Sequence, residues 1–420
     1  MLLVQRHRGL RELAVAVGAT LVALACGTTQ GGTSGPAQNV PGVTDKEILI
    51  GTTTPLSGAA SAYASISKGS TAYFQYVNSK GGVNGRTITY KVYDDSYDPA
   101  KSVPLVRQLI TQDNVFAIFN ELGTPVNLAT RDYINQEKVP DLFVATGSSH
   151  WGADYKQYPY TIGYQPDYVS EGKIYAKDIQ KNHPSAKIGI LYQNDDYGKD
   201  YVNGLKAGLG DKASMVIDTE TYEANAADVS SQVASIKAKG ADLFYIVATP
   251  KFAAQAIAGA SKLSWKPAIY LNSVANQVST VQNAIKASAP DAAEGITSVV
   301  YLKDPANRTK WGNDAGMKMY YDIMAKYCVG CDAVNDGNYI YGMSVAWVFH
   351  QVLEKAGKDG VTRDNVMKIS RSMNYKNSPF LLPGINVQTS GSNQFPVTQE
   401  AVQHWQGSGW AVEDTIINAR

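Results

Sequence analysis

The chain has 420 residues, 44% of them hydrophobic, and balances 38 Lys and Arg against 37 Asp and Glu for a net charge of +1. That length suggests two domains with sizeable cores. The near-neutral balance excludes the basic field that a nucleic-acid partner would need.

The first segment reads as an export signal. Arg6, Arg8 and Arg11 precede an uncharged, mostly apolar run over residues 13–25, and small residues close it. Permanent anchoring in a bilayer takes roughly 20 apolar residues, so this run is too short and is expected to be removed. Ala25 followed by Cys26 resembles a bacterial lipobox, in which the cysteine is acylated and becomes the new N-terminus. Ala23 stands where such boxes favour Leu, and a simple signal peptide with a chance cysteine is the alternative. The stretch "GTTQGGTSGPAQNVPG" has the composition of a flexible tether. We therefore assign residues 1–25 to a signal peptide and 26–44 to a lipidated cysteine and tether, which places the body outside the cytoplasmic membrane.

From residue 46 the chain alternates strand and helix patterns. "EILIGTTTP", "ITYKVYDD", "VFAIFN" and "DLFVATG" are apolar runs of strand length, as expected of strands buried on both faces. The stretches between them carry apolar residues at three- and four-residue spacing. Such a βαβαβα pattern predicts a parallel sheet flanked by helices. After the Tyr- and Pro-rich passage "YKQYPYTIGYQPDY" the rhythm restarts with "KIGILYQND", "MVIDTETY", "DLFYIVAT" and "KPAIYLNS". The last hundred residues hold three helical stretches and short strand-like pieces, and are expected to complete both units. The fold class is thus α/β, with two Rossmann-like doubly wound lobes between which the chain crosses more than once. Lobe I is assigned to 45–163 and 297–378, lobe II to 164–296 and 379–420.

Ligands of open parallel sheets collect at the carboxyl ends of the strands, where helix N-termini favour anions. Three such loops are rich in small hydroxyl residues: "TTTPLSG", "LGTP" and "ATGSS". Together they form a neutral cradle for a carboxylate or other polar head group, although capping and turn chemistry explains any one of them alone. Asp195 and Asp196 in "LYQNDDYGKD" read as helix caps rather than a cation site, and Tyr197 as an aromatic reaching the cleft. Cys328 and Cys331, at C-x-x-C spacing in an exported chain, suggest a local disulfide, with free thiols next; no second pair or histidine cluster completes a metal site. The sequence has no G-x-S-x-G, H-E-x-x-H, G-x-x-x-x-G-K-[ST] or G-x-G-x-x-G after a strand, so no enzyme, metal or cofactor is expected.

The ordered series "ILIGTTTPLSGAASAY", "GGVNGRTITYKVYDDSYDP", "LGTPVNLATRDYINQEKVPDLFVATGSS", "LYQNDDYGKDYVNGLK" and "LLPGINVQTS" resembles the leucine/isoleucine/valine-binding family of type I periplasmic binding proteins, which feed ABC importers. The resemblance implies two lobes joined by a three-crossover hinge. It also implies closure on a small molecule, delivery to a membrane permease, and action as a monomer. It places Ser57 beside the ligand, Tyr63 against the ligand side chain, and Gly123, Thr124, Ala145, Thr146 and Gly147 at the carboxylate loops. Tyr197 faces the cleft from the other lobe. One departure stands out. Where amino-acid-binding members hold the ligand ammonium with an acidic residue, this chain has Asn272 and Ser273, and Thr249 replaces an aromatic contact. The resemblance with this departure implies a polar or carboxylate ligand without an α-amino group. A ligand-sensing receptor is the rival function, and branched-chain amino acid binding the rival ligand.

Overall fold

A computed structural model describes residues 40–418; Cys26 and the lipobox lie outside the described residues. Among those described, no helix is long and apolar enough to cross a membrane.

The first sheet contains β1 (Glu47–Thr54), β2 (Thr87–Asp94), β3 (Ala117–Phe119), β4 (Asp141–Val144) and β5 (Thr161–Gly163) in the order β2-β1-β3-β4-β5, with every pairing parallel. Helices α1 (Ala64–Ser79), α2 (Pro99–Thr111), α3 (Thr124–Gln136) and the short α4 (His150–Ala153) connect these strands. The second sheet opens with α5 (Tyr168–Asn182), β6 (Ile188–Gln193), α6 (Asp196–Leu209), β7 (Val216–Tyr222), α7 (Ser230–Ala238), β8 (Leu243–Val247), α8 (Pro250–Lys262), β9 (Ala268–Leu271), α9 (Val278–Ala287) and β10 (Thr297–Val300). The chain then returns to the first lobe with α10 (Arg308–Trp311), α11 (Ala315–Tyr327), α12 (Asn338–Ala356) and α13 (Arg363–Ser370). The small ribbon of β11 (Asn374–Tyr375) and β12 (Val387–Gln388) precedes β13 (Gln399–Gln406) and β14 (Gly409–Asn418), which close the second sheet in the order β14-β13-β10-β9-β8-β6-β7.

Local sequence accounts for these boundaries. Asp98 caps α2 by accepting from Ala100 N, with Pro99 opening the helix. Asp167 caps α5 through Ser170 N, and Asp195 caps α6 through Gly198 N, so Asp195 has the capping role read from sequence. The strands β3, β4 and β8 are buried along their whole length, which is why they read as unbroken apolar runs.

The lobe boundaries differ from the expected ones. Strand β10 pairs with β9 and β13, so residues 297–300 belong to the second sheet rather than to lobe I. Phe380 packs edge-on against Tyr73 of α1 at 6.5 Å, and Leu381, Leu382, Ile385 and Val397 join the same buried cluster, so the stretch assigned to lobe II from 379 packs with lobe I until β13 begins. Three crossovers result, after β5, after β10 and before β13. They are stitched together by backbone bonds from Leu382 N to Tyr301 O and from Val397 N to Tyr164 O.

Candidate functional site

Each sheet has a switch point, where strands lead off to either side of a central strand. In the first sheet β1 lies between β2 and β3; in the second β6 lies between β7 and β8. Loops at the carboxyl ends of such strands diverge and leave a crevice. The two crevices face each other, and a cavity of about 120 Å³ lies between them, walled by both lobes and by the crossover residues.

From the first lobe, Tyr63, Gly123, Thr124 and Ala145 line this cavity; from the second, Tyr197 does. Four other expected residues take different places. Ser57 is exposed, and its Oγ donates to Asp94 Oδ2 at 2.6 Å, because the loop after β1 is tied to the end of β2. Thr146 stands one layer back, its Oγ1 2.5 Å from Thr124 Oγ1. Gly147 admits the ring of Tyr168: a Cβ there would lie 2.6 Å from Tyr168 Cε1 and 2.4 Å from Pro166 O. Asn272 is fully buried and reaches the cavity only through Tyr197, whose hydroxyl accepts from Asn272 Nδ2 at 2.7 Å. Thr249, noted as the replaced aromatic, lines the wall, as does Ser273.

Sequence reasoning missed several lining residues: Tyr97, Tyr168, Gln165, Tyr301, Tyr341 and Asp304. Tyr97 follows β2 directly, a position of the same kind as the three hydroxyl-rich loops, and could have been read from that. Gln165 and Tyr168 lie in the Tyr- and Pro-rich passage, which marks a joint between lobes and gives no sign of facing a ligand. Tyr301, Asp304 and Tyr341 come from the crossovers and α12, which only tertiary structure brings to the cleft.

The lining is largely apolar and neutral, with six tyrosines and Trp410 among aliphatic side chains. Burial holds the phenols of Tyr63, Tyr97 and Tyr197 protonated far above neutral pH. Among the described residues, the charged members of the lining are Lys303 and Asp304. The Lys303 ammonium is engaged by Asp314 Oδ1 at 2.8 Å and Pro379 O at 2.9 Å, while Asp304, raised by burial, accepts from Ala306 N. Behind Ser273 sits the buried Glu171. Its oxygens accept from Tyr201 OH, Ser273 N and Ser273 Oγ, and Oε1 also lies 2.9 Å from Tyr175 OH, whose single proton is contested by Leu271 O at 2.7 Å. No group of three or more His, Cys, Asp or Glu able to hold a metal occurs among the described residues.

Hydrogen bonds hold the lobes together. Tyr63 OH donates to Val274 O at 3.0 Å. Asp200 on α6 receives Ser148 Oγ, Ser149 N and Ser149 Oγ from the loop after β4, and Ser279 N bonds Asn335 O at 3.0 Å. The described conformation is a closed one.

The sequence that builds this two-lobed α/β body matches the family model described as periplasmic binding protein over residues 47–409. The chain belongs to the periplasmic binding protein family. Among curated relatives, it is 24% identical over 205 residues to the Leu/Ile/Val-binding protein homolog 2 of Brucella abortus, an alignment spanning 49% of this chain and 54% of that protein. The chain thus spans about half the length of the curated relatives it matches. Among solved structures, a branched-chain amino acid ABC transporter protein of Thermus thermophilus with bound valine superposes with a TM-score of 0.77 at 15% identity, covering 89% of this chain and 97% of that one. A solute-binding protein from R. palustris in complex with benzoate gives a TM-score of 0.72 at 16% identity over 87% and 95%. These two likenesses establish the type I periplasmic binding protein fold. Family and fold are those of solute-binding proteins, and the Leu/Ile/Val-binding type is the one to which the sequence relatives point.

Proposed function

We propose that this periplasmic binding protein is an extracytoplasmic solute receptor that captures a small polar or carboxylate-bearing molecule between its lobes and delivers it to an ABC importer's membrane permease. The observation that carries the reading is the cavity whose walls come from both lobes and whose lining residues Tyr63 and Val274 are hydrogen-bonded between the lobes. Closure around a solute excludes water and strengthens each polar contact inside, and the closed shape is what a permease can recognise. No covalent chemistry is needed. In this reading the receptor works as a monomer, and Cys26, acylated, keeps it near its transporter on the tether of residues 26–44. The same fold holds valine in one structural relative and benzoate in another, so amino acids and simple carboxylates are the first ligands to try.

Thermal unfolding of the purified protein against branched-chain amino acids, aromatic and aliphatic carboxylates, amides and sugars tests the reading. A ligand at a hundred times its dissociation constant adds about 2.7 kcal/mol, visible as a raised midpoint. Failure of every class to stabilise the protein defeats the reading. The anchor is tested separately by incorporation of a labelled fatty acid in cells, expected in the natural chain and lost in Cys26→Ala.

A further inference from the structure

Two phenols face the cavity from opposite lobes, and each has the direction of its proton set by a buried amide. A phenolic oxygen has one proton to donate and accepts on its lone pairs. Asn272 Oδ1 accepts from Ala248 N at 3.2 Å, a backbone donor that cannot reverse, so Asn272 Nδ2 must be the atom 2.7 Å from Tyr197 OH. Tyr197 therefore accepts there, and its own proton enters no hydrogen bond among the described residues. Gln193 is oriented in the same way. Its Nε2 donates to the carboxylate Asp195 Oδ2 at 2.6 Å, its Oε1 accepts from Tyr222 OH at 3.3 Å, and the same Nε2 lies 3.4 Å from Tyr97 OH. The Tyr97 proton likewise enters no hydrogen bond among the described residues. Asn272 and Gln193 are both buried and neither lines the cavity.

We propose that Asn272 and Gln193 act as positioning residues that aim the Tyr197 and Tyr97 protons into the cleft, so that this region of the cavity binds the oxygens of a carboxylate and disfavours an ammonium group. The inference rests on reading the cavity as a ligand site, and names the head group that it selects. Its neighbours fit. Glu171, the carboxylate adjoining Ser273, is occupied by Tyr201 OH and by the N–H and hydroxyl of Ser273, and the Lys303 ammonium is engaged by Asp314 and Pro379 O. Acceptors remain in the Ser273 and Tyr63 oxygens, whose protons go to Glu171 and Val274. These suit a hydroxyl or amide N–H elsewhere on the ligand. Asp304 is the one lining carboxylate outside any ion pair among the described residues, and is the group through which the proposal would fail.

Calorimetric titration of the purified full chain with four probes decides the matter: 4-methylpentanoate, leucine, benzoate and benzylamine. A carboxylate is expected to bind at least tenfold tighter than its amino-bearing counterpart. Tyr197→Phe should lower carboxylate affinity about tenfold without improving the amine. Asn272→Asp keeps the acceptor for Ala248 N but replaces the amide donor with an acceptor, which draws the Tyr197 proton back; the carboxylate-to-amine ratio should fall by a hundredfold or more. Should the buried charge prevent folding, Tyr97→Phe combined with Tyr197→Phe makes the same test on the carboxylate arm. Leucine or benzylamine winning in the natural chain, above all if Asp304→Asn then abolishes their binding, overturns the proposal. So does Tyr197→Phe with carboxylate affinity unchanged. Binding of a sugar or amide but of neither carboxylate overturns it while leaving the cavity a ligand site, whereas binding of nothing removes both readings.

Discussion

The ring of Tyr97 lies over Gly123 so closely that a Cβ on Gly123 would stand 2.4 Å from Tyr97 Cε2, and Gly123 itself holds a φ of 104°. The glycine is required twice, by its backbone and by the aromatic above it. Gly123→Ala should cost about 1–3 kcal/mol in stability through backbone strain and lower ligand affinity at least tenfold by displacing the phenol. Circular-dichroism melting and calorimetric titration read the two effects separately. Unchanged affinity would mean that Tyr97 does not touch the ligand.

Tyr63 bridges the lobes through a single hydroxyl. Tyr63→Phe removes the 3.0 Å bond to Val274 O while keeping the ring, so closure should lose about 1 kcal/mol, roughly fivefold in affinity. The unfolding midpoint of the ligand-free protein should hardly move. Small-angle scattering should report a larger open fraction at equal ligand concentration.

Below the cleft wall, Glu121 accepts from Thr53, Ser102 and Thr130, yet burial raises its carboxyl to about 7 and that of nearby Asp95 to about 6. Raised carboxyls bind protons in the folded chain that the unfolded chain has already released. Stability from this pair is therefore greatest near pH 4 and falls as pH rises toward 7. Glu121→Gln should flatten that slope, and its stability relative to the natural chain should improve by on the order of 2–3 kcal/mol between pH 4.5 and pH 8. Urea titrations at the two pH values check it; a parallel pH dependence in both proteins would show that Glu121 does not titrate in this range.

Cys328 and Cys331 stand in disulfide contact at the end of α11, with Cα atoms 5.6 Å apart, and neither lines the cavity. A loop this short contributes roughly 2 kcal/mol at most by chain entropy. Reduction should lower the melting midpoint slightly and leave ligand affinity unchanged, with thiol counting before and after reductant confirming the bond.

Part of the cavity lining was legible because it depends on local chemistry. Gly123, Thr124, Ala145 and Tyr197 sit at strand-to-helix turns, and a parallel sheet presents such turns at one edge whatever the rest of the chain does. Ser57 misled because a hydroxyl in such a loop is equally able to brace the loop, and Asp94 at the end of the neighbouring strand claims it. Gly147 misled for a related reason: its missing side chain makes room for Tyr168, not for a ligand. Asn272 was found for its unusual identity, but its work passes through Tyr197.

The sequence by itself determined the two doubly wound lobes, because apolar runs of strand length alternating with helical spacing leave few other arrangements. It also determined the capping by Asp195 and the family. Only tertiary structure decided where the chain crosses between lobes, since β10 and the stretch 380–397 choose their sheet and core through partners far away in sequence. It decided, too, which tyrosines meet in the cleft. With 26 tyrosines in the chain, those at the crossovers carry no local mark. The direction of a phenolic proton depends on an amide held by a backbone N–H on another strand, a relationship set by packing alone.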